Sequence, residues 1–221
     1  MEVVMSQSEG IADANLRTPK AAAMAGVAFA VLVFVSFGLL VSSIPTDPYD
    51  SGAWISTSAG RVGLALNLMP LSGVAFLWFV GVIRDRLGQR EDRFFATVFL
   101  GSGLLFLSTL FVAAAGLGAI VLVAVGPSNE LLAAPATFHF ARAFTYVVLN
   151  IYAIKMAAVF MLSTSVVAFY TLFVPRWIAY IGFVLAAVLI LGSYYISYSF
   201  FVLPAWVMLL STHILIRTFK E

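Results

Sequence analysis

Cysteine does not occur among the 221 residues. Its absence excludes disulfides, thiolate metal sites, iron–sulfur clusters and covalently attached haem c. Charge is scarce as well: 10% of residues are Asp, Glu, Lys or Arg, against roughly a quarter in soluble domains. No Asp or Glu falls inside any long apolar stretch. That gap argues against a carboxylate proton relay, an intramembrane aspartyl protease and carboxylate sodium sites. The sequence also lacks a His-Glu-x-x-His motif, a phosphate loop and a dinucleotide fingerprint. It shows no internal repeat, no low-complexity segment and no loop long enough to form a soluble domain.

What is present is apolar. Hydrophobic residues make up 62% of the chain and the mean hydropathy is +1.05. The apolar residues form runs of about 20 or more, the length that crosses a hydrocarbon layer roughly 30 Å thick. A multi-pass membrane protein follows, with the lipid bilayer as its first partner. The net charge of +2 says little about ligands, because the basic residues collect at one side of the predicted bundle. Nucleic acid is therefore not an expected partner.

The densest charge is Arg84-Asp85-Arg86-Leu87-Gly88-Gln89-Arg90-Glu91-Asp92-Arg93, where seven of ten residues are charged. Apolar runs flank it, so it forms a hairpin loop between two spans. Its four arginines place it on the cytoplasmic side, since loops rich in Lys and Arg resist translocation. Every other loop is placed relative to it.

Residues 1–20 are polar and are predicted to form a flexible cytoplasmic tail. The first span is 21–44, too long for the core of a cleavable signal. Pro45-Thr46-Asp47-Pro48 ends it, and the loop to Ala59 has no Lys or Arg, so it lies outside, with Trp54 at the interface. The second span is 60–83, with Pro70 as a kink. The third is 94–125, about 45 Å of helix at 1.5 Å per residue, which must tilt, bend or protrude. Residues 131–136 are expected along the surface. The fourth span is 137–174, again longer than a bilayer needs. Pro175-Arg176-Trp177 makes a tight inner turn. The fifth span is 177–194 and the sixth 197–216, with Tyr194, Tyr195 and Tyr198 marking the outer turn between them. Residues 21–221 thus form one transmembrane domain of six helices, and both termini are cytoplasmic.

Polar residues inside membrane spans are costly and mark candidate sites. Here they are Asn67, Asn150, Lys155 and His213, with Arg61 and Arg142 at the outer ends of their spans. Lys155 lies close to mid-membrane, where a lysine costs about 2.5–3.5 kcal/mol on insertion scales. It is expected to face the bundle interior or an oligomer interface. By uniform helical spacing it points about 140° away from Asn150, so the two do not share a site. A second group is His139, Arg142, Tyr146 and Asn150, spaced by three, four and four and therefore on one helical face. At the outer end of the fourth span, His139, Arg142 and Tyr146 could hold an anion or lipid headgroup, or could simply anchor the helix at the interface. The two histidines, His139 and His213, are placed in opposite leaflets, which is incompatible with one bis-histidine haem. Ser102 and His213 share the inner half, but no nucleophile elbow surrounds Ser102. Catalytic, cofactor-binding and metal-ligating residues are assigned as none.

The charged loop carries one family resemblance. Gly81, Asp85, Arg86, Gly88 and Arg90 stand as in Gly-x-x-x-Asp-Arg-x-Gly-x-Arg, which resembles the signature between helices two and three of major facilitator transporters. That resemblance implies a tight cytoplasmic turn whose acid and arginines latch neighbouring helices, in a half-length transporter working as a homodimer. It departs from the pattern at Gln89, where a second basic residue is usual.

The expectation is an all-α, six-helix bundle in a plasma membrane, bacterial by its small loops. Its expected role is a non-enzymatic accessory subunit or a lipid- or partner-binding module, acting with a partner membrane subunit or as a homo-oligomer. A small transporter is the alternative, and an intramembrane enzyme comes third. Transport needs a polar cavity at mid-membrane; an accessory bundle does not.

Overall fold

The computed structural model describes residues 2–47, 49–87, 93–126, 135–171, 174–192, 196 and 198–218; side chains 2–20, 85–96 and 218 fall outside the description. Among the described residues the chain is all-helical, with no strand. The helices are α1 (Glu2–Val41), α2 (Trp54–Leu87), α3 (Arg93–Val125), α4 (Pro135–Val147), α5 (Ile154–Thr171), α6 (Arg176–Gly192) and α7 (Val202–Thr218). A π-helical turn, Val148–Ala153, joins α4 to α5, and a 3₁₀ turn, Ser199–Phe201, leads into α7.

Five segments are long and apolar enough to cross a bilayer: Ala21–Val41, Trp54–Arg84, Thr97–Val125, Pro135–Thr171 and Ser199–Arg217. The sixth candidate, Arg176–Gly192, is apolar but has 17 residues. The helices alternate in direction. One end of the bundle therefore gathers Arg84, Arg176 and Arg217, and the other gathers the 42–53 turn, Arg142 and Tyr198.

Three boundaries differ from expectation. Residues 2–20 continue α1 as helix instead of standing apart as a tail; Glu2, Glu9, Asp13, Arg17 and Lys20 are unsuited to hydrocarbon, while Met5, Gln7, Ala12, Ala14 and Leu16 favour helix. The second span runs well beyond 60–83 at both ends. Arg84 to Leu87 are thus helical and Asp85 lies in the last turn of α2, while Gly88, Gln89 and Arg90 lie outside the described residues. Trp54 opens α2 at the proline-turn end and is buried against its neighbours. The surface segment expected at 131–136 lies outside the described residues apart from Pro135 and Ala136, which open α4. Tyr194 and Tyr195 lie outside them too.

Aromatic side chains fill the centre. Phe76 of α2 touches Phe29 of α1, Phe106 of α3 and Phe160 of α5, with ring centroids 4.8, 5.5 and 5.0 Å apart. Phe99 stacks on Phe160 at 5.1 Å. A second cluster, Trp54, Ile55, Val62, Leu117, Ile120, Ala124 and Phe138, joins α2, α3 and α4 at the proline-turn end. Two glycines allow the closest helix approaches. A β-carbon at Gly26 of α1 would strike Ser211 Oγ of α7 and the ring of Phe79; one at Gly182 of α6 would strike Ser165 Oγ of α5 and the indole of Trp206. Small residues at crossings are how membrane helices gain close packing without a hydrophobic driving force.

A candidate binding pocket at the proline-turn end

The turn between α1 and α2 is built by aspartates. Asp47 Oδ1 accepts the Tyr49 N–H at 2.8 Å and Asp50 Oδ1 accepts the Gly52 N–H at 2.7 Å. These are Asx turns, in which a short side chain replaces a backbone acceptor. Gly52 sits at φ 76°, a left-handed conformation that glycine adopts without penalty.

Arg142 of α4 ties this turn to the bundle. Its Nη2 donates to Asp50 Oδ2 at 2.8 Å and lies 3.2 Å from Pro45 O and 3.3 Å from Asp47 O. Its guanidinium carbon stands 5.8 Å from the centre of the Trp54 ring. The two charged side chains are 9% and 11% exposed, so this ion pair is largely shielded from water. Arg142 Nε is buried without a partner. His139, one turn earlier, packs its ring against Tyr49 at 6.2 Å. The arginine face of α4 therefore works as a clamp on the loop.

Behind the clamp lies a pocket of about 230 Å³. Its apolar walls include Phe37, Leu40 and Ile44 of the α1 end and Leu117 of α3. Arg142, Thr145, Tyr146 and Asn150 line another side, with Tyr198 and Phe200 beyond. Sequence spacing thus correctly grouped Arg142, Tyr146 and Asn150 on one face, and the structure brings them to one pocket. His139 stands beside it, braced on Tyr49.

Local structure explains the placement. Asn150 sits in the π turn, where the widened backbone shifts donors and acceptors out of α-helical register. Its Nδ2 donates to Tyr146 O at 3.0 Å, which leaves Oδ1 free of that bond. Thr145 Oγ1 donates back to Ala141 O at 2.9 Å. Tyr198 adopts φ 65°, a conformation that is an outlier for a bulky residue. Such strain persists only where surroundings impose it; here the Tyr198 ring meets Phe200 at 6.0 Å on the pocket wall.

Below the pocket the packing turns apolar. Phe37 contacts Phe200 at 4.5 Å and Phe201 at 5.9 Å. The void beneath measures about 10 Å³, and Ser199 is the one residue with a polar side chain on its wall. That is at the lower limit of what one water needs. The void shares Phe37, Leu149 and Phe200 with the pocket, so the pocket meets an apolar layer on that side.

The remaining sequence candidates lie elsewhere. Asn67 is exposed on α2, with Nδ2 donating to Gly63 O at 2.8 Å. Lys155 is also exposed; the bundle-interior placement is thereby corrected. That exposure leaves the other half of the expectation, an interface with another chain, because the cost of a lysine at mid-membrane is relieved as well by a partner as by the bundle interior. Gly81 is exposed on α2, and no neighbour lies within 4 Å of where its β-carbon would stand. Ser102 Oγ is engaged by Val98 O at 2.6 Å and Phe99 O at 3.2 Å on its own helix. His213 packs on Trp177 at the arginine end, far from His139. Among the described residues no three His, Asp or Glu side chains cluster as a metal site.

Asp50 and Phe37 were not singled out from sequence, and Tyr198 was noted only as a marker of the outer turn. For Asp50 one signal existed: it is an acid in the same loop-side layer as Arg142. The chain matches no family model, no curated protein and no solved structure. The resemblance to facilitators accordingly rests on the residues around Asp85 alone.

Proposed function

We propose that this protein is a non-enzymatic binding module of a cytoplasmic-type membrane, and that its ligand is a neutral or zwitterionic lipid held in the Arg142 pocket. The observation that carries this is the pocket's construction: a recess with apolar walls, edged by Arg142, whose charge Asp50 balances from outside the lining. Because Asp50 already balances Arg142, the site has little net attraction for a free anion. What it offers is a polar edge formed by Arg142, Tyr146 and Asn150, above walls of Phe37, Leu40 and Leu149. An ester or amide carbonyl accepting from the Tyr146 hydroxyl or the guanidinium edge, with an alkyl chain against those walls, satisfies both halves. The volume is below the roughly 300–1,000 Å³ typical of whole-ligand sites, so a head region and its first methylenes are what enter.

Under this proposal the arginine end is cytoplasmic and the pocket opens in the outer leaflet, in keeping with the Lys and Arg bias of the loops. The apolar layer of Phe37, Phe200 and Phe201 next to the pocket speaks for binding rather than transport.

A diacyl lipid carrying a photoreactive group beside its ester, reconstituted with the protein, tests the idea. Cross-links should concentrate on Leu149, Asn150 and neighbouring pocket residues and disappear in Leu149→Trp. Cross-links spread evenly over the lipid-facing surface would refute it.

A further inference from the structure

The segment Pro135–Thr171 is the most enclosed of the spans. In its most apolar window 61% of residues are buried, against 33–44% for the other four. What α5 and the turn before it leave uncovered is therefore informative. Tyr152, Lys155 and Leu162 are exposed, and Val159, Val166 and Phe169 are half-buried. They recur at steps of three and four, the seven-residue spacing by which one helix meets another. α5 packs on α3 and on α6, and those two make no substantial contact with each other. The stripe is thus the floor of a seam between α3 and α6. At the arginine end Phe169 closes it, meeting Tyr180 at 5.7 Å and the Arg176 guanidinium at 5.5 Å.

Lys155 stands in this seam without a hydrogen bond or ion pair to any described residue. Along the helix it is about 20 Å from Arg142 and about 24 Å from Thr171. A lysine stem reaches neither boundary from there. Of the ten acidic residues, none lies between Asp92 and Glu130 or between Glu130 and Glu221. No acid of this chain stands on α3, α5, α6 or α7 at that depth, and a second copy brings the same shortage.

We infer that the seam is a docking site for a membrane-spanning helix of a different protein, one that carries an Asp or Glu at mid-membrane. The seven-residue stripe supplies the packing surface, and Lys155 selects the carboxylate. This inference is independent of the lipid pocket, which lies at the other end of the same segment.

Model helices provide the test. The full-length chain, labelled at Ser51→Cys, is reconstituted in phosphatidylcholine vesicles with dye-labelled Leu/Ala transmembrane peptides. The peptides differ only at the central residue: Asp, Asn, Leu or Lys. Energy transfer should show the Asp peptide associating about ten-fold more tightly than the Leu peptide. Lys155→Met should abolish that preference and Lys155→Arg should keep it. Lys155→Asp should transfer the preference to the Lys peptide. Leu162→Trp, which obstructs the stripe while sparing Lys155, should weaken all four peptides alike. Helix content and a monodisperse elution profile check that each variant is folded. Equal binding of Asp and Leu peptides, or an Asn peptide as good as Asp, overturns the inference. So does self-association that depends on Lys155 in the absence of any Asp preference.

Discussion

Replacing Arg142 by leucine removes one half of a buried ion pair and leaves Asp50 shielded and uncompensated. Breaking such a pair from one side typically costs about 3–5 kcal/mol. Here the side chains are 9% and 11% exposed, so water does little to relieve the orphaned carboxylate. Asp50→Asn is gentler. It keeps one oxygen for the Gly52 N–H, but its amide NH2 then takes the place of Oδ2 and the charge-assisted bond from Nη2 is lost, at about 2 kcal/mol. The double variant should be less harmful than the sum of the singles, because neither charge is then left alone. A coupling of about 1–3 kcal/mol is expected for groups in direct contact. Equilibrium unfolding in mixed micelles at rising detergent fraction gives the three stabilities. A cysteine placed at Ser51 reports separately whether the turn has come loose, through faster maleimide labelling. Additive effects, or an Arg142→Leu cost below about 1 kcal/mol, would show that the clamp does not hold the turn.

Sidedness is tested on the cysteine-free background: Ser51→Cys should react with an impermeant maleimide in intact cells, and Gln89→Cys only after permeabilisation. Labelling of Gln89→Cys in intact cells would reverse the assignment. Gly182→Ala puts a methyl into Ser165 Oγ and the Trp206 indole and should destabilise by about 1–3 kcal/mol. Adding Ser165→Ala should recover part of that loss, measured by the same unfolding assay; no recovery would mean that the Ser165 contact is not the source of strain.

The elements legible in sequence were those punctuated by polar residues. Pro45 to Asp50, the arginine loop and Pro175 end apolar runs sharply, and the helices stop there within a few residues. The face shared by Arg142, Tyr146 and Asn150 was also legible, because these residues lie within one stretch of helical spacing. Other features had no readable signal. In a bilayer, core and lipid-facing positions are both apolar, so amphipathic contrast does not tell Phe160, in the core, from Leu162, at the surface. The π turn carries the unremarkable sequence Val148-Leu149-Asn150-Ile151-Tyr152-Ala153, yet it re-aims everything after it. Lys155 was expected in the bundle interior or at an oligomer interface because of its insertion cost, and it emerges on the surface of the single chain. The partnership of Asp50 with Arg142 joins residues 92 positions apart, a distance that no local pattern spans.

α6 sets a condition on the membrane itself. Its 17 residues make about 25 Å of helix, some 5 Å less than an average hydrocarbon layer. For α6 to bridge the layer, lipids along that flank must compress or the helix must stay upright while its neighbours tilt. Each ångström of such mismatch costs a fraction of a kcal/mol. The bundle is therefore lopsided toward its surroundings: α3, with 33 residues, asks for a thick layer or a strong tilt, and α6 asks for a thin one. A groove bounded by those two helices lies on the slope between them. Bilayer thickness, set by acyl-chain length, becomes a variable that shifts how deeply Lys155 is submerged and how far the seam between α3 and α6 stands open.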